Sequence, residues 1–369
     1  MRLRRIIHLL LLTLPSFAVL LGLAHPAAAA SPTLLGVYFG NEGWQMQQVR
    51  DLEQWQGKQH AVVTMFTNWC NTPTDLDNLF KQQLPNIWNN HNVPLITWEP
   101  YLCSASATPP DVEVQAATGA YDGYLNLWAD RLKSFLSGPD GVYGSADDRR
   151  AYLRLGHEMN GNWYPWSAAV GNNSPADYVR MWQHVKGIFT AKGLGATRLQ
   201  WMWCVNNTDS AGFTAEAYYP GDGYVDWVAI DGYNWGTSQP WSSWQTPAAV
   251  YGNMLGRLHA LTTKPLALTE VASSTATSGG VSVTAKAQWI TDVYSYVQAN
   301  GVRFVAWFNV DKETDWAVFG GSNGSGVYKT ATTVYKTYAA YKSAVGSSTL
   351  VGASASNVRL LTDAQFAGQ

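Results

Sequence analysis

Two glutamates each end a strand-like, mostly apolar run: Glu158 in "RLGHEMNGNWYPW" (154–166) and Glu270 in "KPLALTEVAS" (264–273). A charge left idle in such a place would be costly. Two carboxylates facing one cleft suit displacement at an acetal carbon, one protonating the departing oxygen while the other attacks or stabilises the carbon. Each also has an ordinary ion-pair alternative in the sequence, Arg154 or His157 for Glu158 and Lys264 or Arg303 for Glu270. The companions of Glu158 are His157, Asn160, Trp163 and Trp166. Other strand-like runs end in Asp231, Tyr233, Asn234 and Trp235, in Trp98 and Glu99, in Trp69, and in Trp307 and Asn309.

These residues need a scaffold that gathers strand ends. Eight short apolar runs, at 34–40, 61–69, 93–100, 151–159, 198–206, 225–234, 264–273 and 304–313, alternate with longer amphipathic stretches. The pattern predicts the α/β class, a (β/α)8 TIM barrel forming a single catalytic domain over residues 31–344, with its site at the carboxyl ends of the strands. No GxGxxG or P-loop follows any strand, which argues against a doubly wound sheet. Strand alternation would put Arg154, Gly156 and Glu158 on one face, and Leu266, Leu268 and Glu270 on another, the two leucines filling the barrel interior. In the stretch 175–193, Tyr178, Met181, Trp182 and Val185 fall at helical spacing between an early proline and a final glycine. A last helix is expected over 330–344, followed by a peripheral Ser/Ala/Gly-rich C-terminal tail, 345–369. Asp140, Asp147 and Asp148 in "SGPDGVYGSADDRR" (137–150) could bind calcium but lack EF-hand spacing, and a solvated turn is the better expectation.

Composition narrows the ligand. With a formal charge of -2 and 14% charged residues, the chain lacks the basic surface that a nucleic-acid partner demands. Its 18 Trp and 19 Tyr suit flat, hydroxyl-rimmed ligands such as sugars, alongside an aromatic core. Residues 1–30 join a basic start, a long apolar stretch and small residues, and read as a signal peptide; an uncleaved anchor is the alternative. The mature protein is therefore expected to be secreted, monomeric and without stable membrane association. Export makes a disulfide possible between Cys70 and Cys103, which follow successive strands, while Cys204 in "LQWMWCVN" reads as a buried free thiol. Zinc-ligand spacing is absent, and neither metal nor cofactor is expected.

The stretches "RLGHEMNGNWYPW", "YYPGDGYVDWVAIDGYNW" and "PLALTEVAS" together resemble glycoside hydrolase family 26, retaining endo-β-glycanases on (β/α)8 barrels: mostly β-mannanases, with mixed-linkage β-glucanases and some β-1,3-xylanases. The resemblance implies that Glu158 is the general acid/base and Glu270 the nucleophile of a double displacement. It places His157, Trp163, Tyr233 and Trp307 around the sugar, with Asp231 in support. In the mannanase branch the third strand ends in a serine-tryptophan-histidine type of motif; here it reads "ITWEP", with Glu99 at the histidine's place. That change, with "DWVAIDGYNW" and "NWYPW", resembles the glucanase-type members. Trp69, Trp98, Trp166 and Trp235 are candidate stacking platforms, Asn160 and Glu99 candidate sugar contacts. A barrel that binds glycan without cutting it is the alternative from another class, though it would not need both carboxylates.

Overall fold

Eight parallel strands alternate with helices and close on themselves. In this computed structural model, which describes residues 32–70 and 72–369, they are β1 (Thr33–Tyr38), β2 (Val62–Asn68), β3 (Val93–Glu99), β4 (Ala151–Leu155), β5 (Leu199–Asn206), β6 (Trp227–Asn234), β7 (Leu266–Ser273) and β8 (Phe304–Phe308). Each pairs with its sequence neighbour, and β8 returns to β1 with Leu34 opposite Phe304 and Tyr38 opposite Phe308. The signal-peptide stretch 1–30 lies outside the described residues.

Burial on both faces explains why the strands read as nearly continuous apolar runs. Leu34, Leu95, Tyr152, Met202, Ala267 and Phe304 belong to the cluster inside the barrel. Gly36 makes room there, since a Cβ at that position would lie 2.5 Å from the Phe304 ring. The opposite strand faces join the larger core under the helices, which are α1 (Gln47–Gln56), α2 (73–89), α3 (Asp122–Leu136), α4 (Pro175–Ala191), α5 (Pro247–Leu261), α6 (Val283–Ala299) and α7 (Ala339–Val345). α2 carries a π-helical stretch at Leu79–Gln83, and only a short 3-10 turn, Ala215–Tyr218, stands between β5 and β6. The α4 boundaries follow its sequence signals. Ser174 and Asp177 form a capping box, Pro175 opens the helix, and Tyr178, Met181, Trp182, Val185 and Phe189 bury one face.

Four local expectations change. β4 stops at Leu155 and β8 at Phe308, because both chains turn sharply before the residues that reach the cleft. Leu266 and Leu268 point outward into the core under the helices, and Ala267 is the residue that fills the barrel. The helix expected over 330–344 is a hairpin, Gly326–Lys329 with Val334–Thr337, before α7 begins; β-branched and aromatic residues favour that pairing. The segment after Val345 closes the floor of the barrel instead of trailing away. Leu350–Val351 pairs with β1, the Phe366 ring lies 4.7 Å from Tyr152, and the Tyr152 hydroxyl donates to the Phe366 carbonyl at 3.0 Å. Arg150 donates to the Leu361 carbonyl at 2.8 Å and pairs with Asp363.

Cys70 and Cys103 form a disulfide between the loops after β2 and β3, with Cα atoms 4.4 Å apart. Cys204 is a buried free thiol. In the 137–150 loop the aspartates are already used. Asp148 accepts from Arg198 at 2.6 Å, Asp140 accepts from the Val142 amide, and Asp147 accepts from Ser145 and the Asp140 amide.

Phe366 is 1% exposed, so Phe366→Ala opens a cavity under the barrel and should destabilise it by about 3–5 kcal/mol. Urea unfolding of the two proteins checks this, and an unchanged midpoint would show that the floor segment contributes nothing to closure.

Candidate active site

Arg154 sits at the centre of the barrel's carboxyl half and is 0% exposed. Its guanidinium donates to Asp231 at 2.6 Å, to Glu270 at 2.6 Å and to the Thr97 hydroxyl at 2.7 and 2.9 Å. The Phe66 ring covers it at 5.5 Å. Thr97, Arg154, Cys204, Asp231 and Thr269 thus make a polar layer above the apolar floor. Thr269 donates to Asp231 at 2.6 Å, and the Cys204 thiol lies 3.1 Å from Thr269.

Glu270 reaches this layer through an irregularity in its strand. Ile230 pairs with Leu268 and Asp231 with Glu270, so β7 carries one extra residue, Thr269, at that point. The bulge re-aims the chain. Thr269 and Glu270 both turn toward Arg154 and Asp231, which strict alternation from Leu268 would not allow. The second Glu270 oxygen accepts from the Tyr233 hydroxyl.

Glu158 arrives by a different device. Gly156 at φ 50° and Glu158 at φ 54° are both left-handed, a conformation uncommon for glutamate. The turn is pinned from all sides. The Gly156 amide donates to the Trp98 carbonyl and the Glu158 amide to the Cys204 carbonyl, both at 3.0 Å. Tyr178 of α4 donates to the carbonyls of Leu155 and Gly156. Asn160 accepts from the Asn206 amide at 2.8 Å and donates to Asp209 at 2.9 Å. The expected shared face of Arg154, Gly156 and Glu158 therefore ends at Gly156. Arg154 pairs with Glu270 and Asp231, and neither it nor His157 is the hydrogen-bond partner of Glu158.

That partner is Trp163, whose indole N–H donates to Oε2 at 3.0 Å. Burial pushes the Glu158 carboxyl well above the usual range, with the charges of Asp231 and Glu270 adding to the effect. Burial raises Asp231 as well, against the pull of Arg154. His157 is driven down by burial and then by Arg154, which leaves a neutral imidazole 3.1 Å from the Tyr164 hydroxyl. Burial pushes Glu99 up to about 7, and its carboxylate makes no hydrogen bond to the described residues. Nearby, Glu42 at φ 47° accepts from Tyr38 at 2.6 Å.

The site is thus Glu158, Glu270, Asp231, His157, Trp163, Tyr233 and Glu99, with half-buried Trp235 at its edge. Other expected contacts belong to the packing. Trp98 is fully buried and stacks on Trp128 at 4.2 Å, with Trp69 beside it at 5.5 Å. Trp307 lies outside the barrel wall, donating to the Trp316 carbonyl, and Trp166 is buried under Tyr164. Asn309 spends its side chain on backbone groups, and Asn160 and Asn234 spend theirs on backbone groups and on the side chains of Asp209 and Ser273. Tyr164, Glu42 and Trp316 escaped the sequence reading because they lie in loops without periodicity, whereas the interior phase of Arg154 on β4 could have flagged it. His157, Asp231 and Glu270 have atoms within 4.8 Å of one another, a spacing that a metal could bridge. Arg154 already binds both carboxylates, and its charge opposes a second cation there.

The sequence profile described as Glycosyl hydrolase family 26 matches residues 150–336, half of the chain. Endoglucanase H of Acetivibrio thermocellus is 32% identical over 289 residues, 77% of this chain and 28% of that protein. Mannan endo-1,4-beta-mannosidase A and B of Caldalkalibacillus mannanilyticus is 26% identical over 205 residues, 52% of this chain and 38% of that protein. The chain therefore spans well under half the length of either relative. Among solved structures, a modular endo-beta-1,4-mannanase from Cellulomonas fimi superposes with a TM-score of 0.61 at 16% identity, covering 90% of this chain and 73% of that one, which shows a shared fold. With the motifs around both glutamates inside the matched segment, the chain belongs to glycosyl hydrolase family 26.

Proposed function

We propose that the protein is a secreted retaining endo-β-glycanase that cuts internal β-1,4 linkages of a cell-wall polysaccharide. The carrying observation is the contrast between its two central glutamates. Glu158 is buried with its carboxyl pushed up and a single indole donor on it, while Glu270 has a donor on each oxygen, Arg154 and Tyr233. Environments that differ in this way divide acid from nucleophile.

In the first step Glu270, as carboxylate, attacks the anomeric carbon while Glu158 gives its proton to the departing glycosidic oxygen. A covalent glycosyl-enzyme results. Glu158, now the base, takes a proton from water as that water attacks the same carbon and releases Glu270. Arg154 and Tyr233 hold Glu270 in line, and neutral His157 offers a hydrogen bond to a sugar hydroxyl. Mixed-linkage β-glucan is the favoured polymer ahead of β-mannan. The relative named as an endoglucanase matches more of the chain at higher identity than the one named as a mannosidase, and β3 ends in Glu99. The disulfide between Cys70 and Cys103 supports an oxidising compartment outside the cell.

Hydrolysis of barley-type β-glucan, glucomannan, galactomannan and β-1,3-xylan by the purified protein tests the reading. Glu158→Gln and Glu270→Gln should each lower turnover of the cleaved polymer at least about a hundredfold. Silence on all four polymers with polysaccharide binding retained would replace the enzyme by a non-catalytic binding barrel.

The pH profile follows from Glu158. An acid works only while protonated, so kcat/KM should fall as pH rises through its raised pKa. The Trp163 N–H favours the charged form and holds that pKa down. Trp163→Phe removes the donor, raises the pKa, and should move the alkaline limb to higher pH. An alkaline limb that stays in place would mean that another group titrates there.

A further inference from the structure

Only three tryptophans are strongly exposed among the described residues: Trp44 at 51%, Trp163 at 45% and Trp241 at 71%. Each lies in a loop leading from a strand to the following helix, after β1, β4 and β6, at the end of the barrel that holds the carboxylates. The helical flanks and the floor expose none.

Trp163 is accounted for by Glu158, but nothing above uses Trp241. Its ring lies 5.2 Å from Trp235, which lies 4.8 Å from Trp316, which lies 5.0 Å from Tyr233, whose hydroxyl is on Glu270. Four aromatic rings therefore run without a break from the nucleophile to the rim. The loop that holds Trp241 is firmly set. The Ser242 hydroxyl donates to the Gly236 carbonyl at 2.8 Å, and the Thr237 amide donates to the Ala276 carbonyl at 3.0 Å. Gly236 is left-handed at φ 56°, and a Cβ there would lie 1.9 Å from the Ala276 carbonyl oxygen. The loop that carries the indole has Thr237, Ser238, Gln239, Ser242 and Ser243 as its neighbours in sequence, so the exposed ring is a single apolar face in an otherwise polar loop. A protein partner wants a contiguous apolar patch, whereas a pyranose ring wants one such face.

We propose that Trp241, continued inward by Trp235, is a distal stacking platform for a sugar unit of the polymer several rings from the cleaved bond. It makes the protein prefer long chains over short ones. The inference rests on the glycanase reading and adds to it a residue that sets chain-length preference. A rigid ring loses little entropy on binding, which suits it to that role.

The test compares Trp241→Ala with the unaltered protein on the polymer it cleaves and on an aryl β-disaccharide too short to span to the rim. The ratio of kcat/KM for polymer to that for the aryl glycoside should drop about three- to tenfold, mainly through KM, with Trp241→Phe recovering most of it. An unchanged ratio overturns the platform, including the case in which both substrates lose equally, since Trp241 would then only support the catalytic groups. Affinity electrophoresis in a polymer-containing gel, with Glu270→Gln against Glu270→Gln/Trp241→Ala, gives a readout independent of turnover. Weaker retardation of the double variant supports the platform and equal retardation overturns it. If the unaltered protein neither cleaves nor binds any polymer, the glycanase reading and the platform fall together; if it cleaves and Trp241 is indifferent, only the platform falls.

Discussion

One buried guanidinium organises the upper half of this barrel. Arg154 is fully buried, away from bulk solvent, so its donors turn to protein acceptors, chiefly Asp231, Glu270 and Thr97. The dependence is mutual, because Asp231 and Glu270 would otherwise be buried carboxylates without a bonded countercharge, held only by the Thr269 and Tyr233 hydroxyls. Removing one member of such a set typically costs about 3–5 kcal/mol, because the others are left uncompensated. The fork geometry of arginine lets one residue hold two carboxylates from neighbouring strands, which a lysine could not do in the same way. The cation also sets the electrostatic contrast of the site. Glu270 touches it directly, whereas Glu158 touches only an indole, and the two glutamates acquire different characters from one shared environment.

The rest of the architecture supplies positions around that centre. Below it the apolar floor, sealed by Tyr152, Phe304 and Phe366, keeps water away from the guanidinium. Above it two departures from regular strand geometry deliver the acids: a bulge at Thr269 for Glu270, and a left-handed turn at Gly156 and Glu158. Strain of that kind persists only where the surroundings over-determine it. Here they do, since Tyr178, Asn160 and two inter-strand amide bonds all bind the turn.

The fold was legible in the sequence because parallel strands buried on both faces leave apolar runs that periodic helices separate. Glu158 and Glu270 stood out for the complementary reason, as charges at the ends of such runs. Their exact route to the site was hidden. Counting alternate residues back from Glu270 assigns the wrong face to Leu268 and Leu266, since a bulge leaves no mark in a pattern of period two. Trp98 and Trp307 show the corresponding limit for aromatics. A tryptophan next to a strand end reads the same whether it faces the cleft or the helices, and only the three-dimensional phase of the strand decides. The hairpin at 326–337 was missed because its Thr, Val and Tyr residues suit a strand, while the spacing of the apolar ones also fits a helix.

The floor segment has a consequence for the order of events in synthesis. β1 takes as neighbours β8 and Leu350–Val351, which follow it in the sequence by most of the described chain, and the ring that seals the barrel from below is Phe366. Such pairings span almost the whole described chain, so the loop entropy they must overcome is large and barrel closure is intrinsically slow. A nascent chain halted before these residues has open edges on β1 and an uncovered apolar interior. Closure of the barrel therefore has to wait for the segment that follows β8, however early the other strands pair.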